Sequence, residues 1–345
     1  MSLELLKSLC ETPGIPGREE RVRELVVKEM TPLVDEINID SMGNVIGYKK
    51  GKTDKNIMIA GHMDEIGFIV RHIDDKGFLR LEAMGGFDPR TMIAQRVMVH
   101  GREDLHGVLM PGIKPKHLQT GTENKTPEVS EFFVDLGLTK EEVDKVVRIG
   151  DFVTMDRDFI TLGNLITSKA LDDRAGVYIM LEALKRIKDN EYGIYAVATV
   201  QEERGLRGAL ASSFLIEPDL GVALDVTIAA DIPGTPDYSH ITQLGKGAAI
   251  KISDSASISN YKLVDFMREL AESNDVNYQM EILPRGGTDA GAIERARAGC
   301  PVITISLPTR YVHTVVETAD KSDLENSIKL LTLFLENAQN GDFKL

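Results

Sequence analysis

Two patterns of apolar residues recur along this chain: short, largely apolar runs, and longer stretches with an apolar residue at every third or fourth position. The runs cover residues 57–60, 194–200, 220–224 and 302–307, and their shortness favours buried strands. The longer pattern predicts amphipathic helices over residues 18–30, after Asp173, over 264–272 and over 322–337. Strands that alternate with helices in this way are typical of a parallel sheet.

The middle of the chain, from residue 67 to residue 163, has a different pattern. Apolar segments flank turns at residues 74–77 and 101–106, which indicates two β-hairpins, and one helical stretch lies near residues 129–147. We therefore predict an α/β fold with a mostly parallel sheet covered by helices on both faces. Residues 1–66 and 164–345 would form this catalytic domain, and residues 67–163 would form a smaller inserted β-rich domain.

Composition and charge narrow the classes of function. The chain has 345 residues, of which 42% are apolar and 27% charged, as expected of a globular enzyme with a large core. A formal net charge of −14 argues against nucleic acid as a partner. The first 30 residues resemble no signal peptide, no segment approaches a membrane span, and Cys10 and Cys300 stand far apart. We expect a cytoplasmic protein with reduced thiols and no membrane partner.

Histidine, aspartate and glutamate residues occur where the predicted strands end or where a helix begins. In open α/β folds, functional groups gather at the carboxyl ends of the strands. Two imidazoles and several carboxylates are enough to bind two divalent metal ions, with one carboxylate left over as a base. The pattern therefore indicates a metal-dependent hydrolase. The residues concerned are His62, Asp64, Asp172, Glu202, Glu203, Asp225 and His313.

Each of these segments also has a simpler interpretation. Asp64 suits a carboxylate that orients a metal-bound imidazole of His62, but such a pair also occurs on ordinary surfaces. Either Asp172 or Asp173 could cap the helix that begins there. Glu202 and Glu203 could begin a solvated loop, although two adjacent acids repel each other unless a cation lies close by. The metal site is favoured because all the segments share one topological position.

Five ordered motifs carry a family resemblance: GHMDEIG at 61–67, ALDDRAG at 170–176, QEE at 201–203 with GLRGA at 205–209, LDV at 224–226 and TRYVH at 309–313. They resemble the motifs of the TET-type (tetrahedral, dodecameric) dinuclear metallo-aminopeptidases, some members of which are labelled endoglucanases. The resemblance covers essentially the whole chain, including the insert and RGGTDAG at 285–291. It implies a homo-oligomer, a dodecamer, in which the inserted domain helps assembly and substrate access.

The resemblance also implies a role for each candidate residue. Glu202 would be the general base, and Asp64 would orient His62. The predicted activity is hydrolysis of the N-terminal residue of short peptides with a free N-terminus, through a water shared by two metal ions, Zn or Co. The implied metal ligands are His62 and Asp225 for one ion, Glu203 and His313 for the other, and Asp172 as the bridge between them.

Two other activities fit parts of the same pattern. A di-metal carboxypeptidase or deacylase would bind a carboxylate through an arginine, and Arg204, Arg207, Arg285 and Arg310 leave this open. Arg204 replaces an aliphatic residue more usual in the family, and it could face either the pocket for the first side chain or solvent. An endoglucanase would use two carboxylates, but the chain has no Trp to stack on sugar rings.

Overall fold

The computed structural model describes residues 2–114, 116–118 and 126–345. The helices predicted over 18–30, after Asp173, over 264–272 and over 322–337 are present as Glu20–Met30, Leu171–Arg186, Tyr261–Ser273 and Lys321–Asn337. The α-helices are α1 (Glu4–Glu11), α2 (Glu20–Met30), α3 (Lys140–Val146), α4 (Leu171–Arg186), α5 (Arg207–Ile216), α6 (Tyr261–Ser273), α7 (Ala290–Ile293) and α8 (Lys321–Asn337). The strands are β1 (Glu36–Ile39), β2 (Val45–Lys49), β3 (Asn56–His62), β4 (Gly67–Ile73), β5 (Leu79–Met84), β6 (Gln95–His100), β7 (Asp104–Pro111), β8 (Phe132–Asp135), β9 (Phe152–Met155), β10 (Ile160–Leu162), β11 (Leu165–Ser168), β12 (Gly193–Thr199), β13 (Leu220–Ile228), β14 (Ala248–Ser253), β15 (Tyr278–Ile282), β16 (Val302–Arg310) and β17 (Glu317–Asp320).

One large sheet has the strand order β1-β2-β12-β3-β13-β16-β17-β11-β10, and β14 and β15 extend it from β16. Pairing is parallel from β12 through β3 and β13 to β16, and between β14 and β15. The pairings on either side of this central group, from β1 to β12 and from β16 to β10, are antiparallel. The sheet is therefore mixed, and the prediction of a mostly parallel sheet holds at its centre but not at its edges. Short turns between consecutive strands, such as β1 and β2, reverse the chain there.

The middle segment contains a closed barrel with the strand order β4-β5-β8-β7-β6-β9. Both predicted hairpins are present, because β4 pairs with β5 and β6 pairs with β7. The stretch predicted as one helix near 129–147 is instead a strand followed by a helix. Phe132 and Val134 alternate into the barrel core from β8, and α3 begins only after Thr139, whose side chain accepts a hydrogen bond from the N–H of Glu142.

Alternate residues of β3 belong to two separate apolar clusters. Ile57 and Ile59 share one cluster with residues of α4 and α8, whereas Met58 and Ala60 share another with residues of α5 and α7. A strand with apolar neighbours on both sides has no polar face, which explains why the run at 57–60 is unbroken. Among the residues described, no helix has the length and apolarity needed to cross a membrane.

Candidate metal centre

Candidate residues lie at or near the carboxyl ends of three neighbouring parallel strands of the large sheet. β3 ends at His62, and β12 is followed by a short 3₁₀-helix, Glu202–Arg204. Pairing between β3 and β13 stops two residues before His62 and two residues before Asp225, so these two residues lie at the same level. Asp225 does not end its strand as predicted, because β13 continues to pair with β16 as far as Ile228.

Asp172 lies between two imidazoles at the start of α4. Its Oδ1 is 3.0 Å from Nε2 of His62, and its Oδ2 is 3.3 Å from Nε2 of His313. Oε1 of Glu203 lies 3.1 Å from the same nitrogen of His313. Asp172, Glu203 and His313 thus offer three ligand atoms within 4.8 Å of one another, which is close enough to hold one metal ion.

His62 belongs to a second group of ligand atoms, with Asp173 and Asp225, that meets the same distance limit. Nδ1 of His62 lies 3.0 Å from the backbone carbonyl oxygen of Asp64, while the Asp64 carboxylate is 3.6 Å away. A proton on Nδ1 that is donated to this carbonyl leaves Nε2 available as a ligand. The closer contact of the imidazole is therefore with the backbone of Asp64, whereas the sequence suggests a contact with its carboxylate.

The site concentrates buried acids around two imidazoles. Burial raises the pKa values of Glu202 and Asp225 well above their ordinary range. Burial alone would lower the pKa of His313, but the carboxylates of Asp172 and Glu203 raise it to about 12. Carboxyl groups that resist ionisation and imidazoles that hold protons are the response of a buried acidic cluster. Divalent cations would relieve the same repulsion, so these residues fit a metal centre.

Buried carboxylates also bind the backbone of the candidate residues. Asp64, which is fully buried, accepts hydrogen bonds from the N–H groups of Glu202 at 3.1 Å and Glu203 at 3.2 Å. Asp173, also fully buried, accepts one from the N–H of His62 at 3.1 Å. Two carboxylates thus set the positions of three candidate residues that come from different parts of the chain.

Two residues near the site were missed as functional candidates from the sequence. The sequence indicates only a helix cap at Asp173, and its Oδ1 does accept the N–H of Gly176 at 2.9 Å, as a cap would. Glu317 was not considered, although it accepts hydrogen bonds from the N–H groups of Asp172 and His313. An acidic residue four positions after His313, at the start of a strand, was the available signal.

All the candidate residues except Asp64 line one cleft of about 360 Å³. Of the arginines considered as carboxylate partners, Arg285 lines this cleft. Arg204 and Arg207 are exposed and are not part of the lining. Of the two orientations considered for Arg204, the structure therefore has the one that faces solvent. Arg310 pairs with Asp231 at 2.7 Å. The candidate residues in the lining are His62, Asp172, Glu202, Glu203, Asp225 and His313.

Comparisons with known proteins agree with one another. Residues 43–330 match the family model described as M42 glutamyl aminopeptidase. A lysyl aminopeptidase of Pyrococcus furiosus is 38% identical over 99% of this chain and 98% of its own length. An aminopeptidase structure from the archaeon Desulfurococcus kamchatkensis has a TM-score of 0.93 at 43% identity, covering 97% of this chain and 94% of that one. The Pyrococcus horikoshii TET1 peptidase, which can assemble into a tetrahedron or a large octahedral shell, has a TM-score of 0.86 at 32% identity, covering 96% of this chain and 98% of that one.

Proposed function

Because the chain belongs to the M42 glutamyl aminopeptidase family, and is therefore a peptide hydrolase, we propose that it is a two-metal aminopeptidase with Glu202 as its general base. The observation that carries this proposal is the placement of Asp172 between His62 and His313 at hydrogen-bonding distances. A carboxylate with one oxygen toward each imidazole is suited to bridge two ions. The ligands proposed for each ion are those that the resemblance implies. His62 and Asp225 would bind one ion, Glu203 and His313 would bind the other, and Asp172 would bind both.

When bound, two divalent ions such as Zn or Co would lower the pKa of a water and polarise the carbonyl of the scissile bond. Glu202 would accept the proton of that water and later donate it to the leaving amine. Its carboxylate oxygen lies 3.9 Å from Nε2 of His62, and its side chain is 12% exposed in the lining of the cleft. Burial raises the pKa of Glu202, so its carboxylate binds a proton more strongly than an exposed glutamate would.

The proposed division of roles between the two glutamates can be tested with Glu202→Gln. This variant should bind two metal ions while kcat falls on the order of a hundredfold or more, as loss of a general base commonly causes. Glu203→Ala should instead lose one ion, because it removes a ligand. Metal content is measured by mass spectrometry and activity with aminoacyl-p-nitroanilides. A fully metallated and active Glu202→Gln enzyme would rule out this role.

A carboxypeptidase or deacylase is the second candidate, and it rests on Arg285 in the lining of the cleft. Comparing the cleavage of an unblocked peptide with that of its N-acetylated form separates the candidates. An aminopeptidase needs the free α-amino group, so acetylation should abolish cleavage of the first peptide bond. A deacylase would remove the acetyl group and leave the unblocked peptide intact.

The oligomeric state and the role of the barrel segment complete the proposal. We propose that the chain assembles into a dodecamer, as the tetrahedral form of the similar Pyrococcus horikoshii peptidase suggests. Residues 67–163 would form an inserted domain that contributes to assembly and to substrate access. Sedimentation of the purified protein measures the mass directly, and a stable dimer would contradict the proposed dodecamer.

A further inference from the structure

Glu317 links two candidate ligands that come from different parts of the fold. It is the first residue of β17 and is 2% exposed. Its Oε2 accepts the N–H of Asp172 at 3.0 Å, and its Oε1 accepts the N–H of His313 at 2.7 Å. One buried carboxylate therefore bridges the start of α4 and the loop that connects β16 to β17.

The two N–H groups need such an acceptor because neither residue has regular backbone geometry. Asp172 has φ −76° and ψ 107°, which is not helical although it lies in the first turn of α4. His313 has φ +63°, a left-handed conformation that is costly for a residue other than glycine. Buried N–H groups outside helices and strand ladders must find another acceptor, and the side chain of Glu317 supplies one to each.

The two residues held by Glu317 are neighbours in one candidate ion site. Nε2 of His313 and Oδ2 of Asp172 are 3.3 Å apart, and together with Glu203 they form one of the groups close enough to hold a metal ion. The backbone positions of Asp172 and His313 set where these two ligand atoms can lie. A shift of either segment would change the geometry that the ion meets.

We propose that Glu317 is a positioning residue that holds Asp172 and His313 in place and thereby sets the affinity of the metal ion they share with Glu203. The inference rests on the proposed two-metal site, but it concerns a residue that need not touch either ion. Partners that orient metal ligands commonly contribute about 10- to 100-fold to metal affinity. The effect should be larger for this ion than for the other, because Glu317 holds two of its ligands but only the shared Asp172 among the ligands proposed for the other ion.

The test is a titration of the metal-free protein with Co²⁺, in which the absorption of the bound ion reports binding. Glu317→Gln keeps the size of the side chain but replaces one acceptor oxygen by an NH₂ group, so one N–H loses its partner. The dissociation constant of the ion shared by Asp172, Glu203 and His313 should rise about 10- to 100-fold. That of the other ion should rise less, because Glu317 holds only one of its proposed ligands. Glu317→Asp keeps the charge but is too short to reach both N–H groups, so it should weaken the same site.

Asp320→Asn is the matched control, because Asp320 is also a buried carboxylate of β17 but binds Asn164 and Ser322 instead. It should leave both dissociation constants within about threefold of the original values. Adding Glu317→Gln to Glu203→Ala localises the effect. In the double variant, the ion that Glu203→Ala still binds should lose less affinity than Glu317→Gln alone causes at the other site, because Glu317 holds only the shared Asp172 among its ligands.

Several results would overturn the inference. Glu317→Gln that binds both ions like the original protein would show that the two hydrogen bonds do not matter for affinity. Glu317→Asp that binds like the original protein would show that charge, and not reach, is what counts. Circular dichroism of the metal-free variants checks folding, and the Asp variant decides the question if the Gln variant does not fold. If the unmodified protein does not bind two ions, the proposed function itself fails.

Discussion

Replacing Glu65 by glutamine should destabilise the protein strongly, because this carboxylate is the counter-ion of two buried cations. Its Oε2 lies 2.6 Å from Nζ of Lys169, and its Oε1 lies 3.7 Å from a guanidinium nitrogen of Arg174. All three side chains are at least nine-tenths buried. The remaining hydrogen-bond partners of Arg174 include the carbonyl oxygens of Thr12 and Gly14, which carry no full charge.

The size of the effect follows from these distances. With an effective dielectric constant of about 20, Coulomb's law gives about 6 kcal/mol of attraction at the 2.6 Å separation of Glu65 and Lys169. Glutamine removes this attraction, but it does not return the two cations to water. Breaking a buried ion pair by removing one partner typically lowers the free energy of unfolding by about 3–5 kcal/mol. We expect Glu65→Gln to fall in that range.

Urea unfolding followed by far-UV circular dichroism is the suitable assay, because the chain has no Trp for fluorescence. Chelator and a fixed protein concentration keep metal binding and assembly out of the comparison. Asp144→Asn is the control, since Asp144 forms an exposed pair with Lys140 on α3, and such pairs contribute about 1 kcal/mol or less. If Glu65→Gln costs no more than Asp144→Asn, the reasoning about buried counter-ions is wrong.

Three further predictions concern parts of the fold away from the candidate site. Gly77→Ala should lower the melting temperature more than Gly137→Ala. Both glycines have positive φ, but a Cβ at Gly77 would lie 2.8 Å from a backbone carbonyl oxygen, whereas a Cβ at Gly137 would have no described atom within 4 Å. A hydrogen bond from Arg21 lowers the pKa of Asp104 from 3.8 to about 2. The stability that this ionised carboxylate contributes is therefore present above pH 4 and is lost as the pH falls towards 2, so melts of Asp104→Asn should show a weaker loss of stability over that range. Asn260→Ala should lower the free energy of unfolding by about 1 kcal/mol in urea titrations, because the Asn260 side chain caps α6 by accepting two backbone N–H groups.

The elements that the sequence predicts well are those whose signal is local. Helices α2, α6 and α8 follow from apolar spacing within the segment itself. Strand direction is different, because it depends on which distant segment pairs alongside. The runs at 57–60 and 194–200 are parallel neighbours in the structure, whereas β12 pairs antiparallel with β2 on its other side. No periodicity within β12 could indicate this difference.

The end of β13 shows a second limit of local patterns. The apolar run at 220–224 suggested that the strand stops where Asp225 interrupts it. Pairing with β16 continues to Ile228, so Asp225 is a buried acid inside a strand, where it is unfavourable without a partner. The sequence pattern predicts Asp225 at the end of its strand, where functional groups gather in open α/β folds, whereas the structure places it within the strand.

The candidate ligands were easier to identify from the sequence than the residues that bind their backbone. The physical reason is that a metal ion restricts the residue type, whereas a backbone N–H does not. A metal ion accepts few residue types, so His62 and His313 stand out against a background of seven histidines in the chain. An acceptor for a backbone N–H can be any nearby oxygen, and it is chosen only by where the chain brings it. Glu317 gains its position from the pairing of β17 with β11, which places it opposite Ser168, four residues before Asp172. Its contact with Asp172 therefore depends on long-range strand pairing, which no motif around Glu317 specifies.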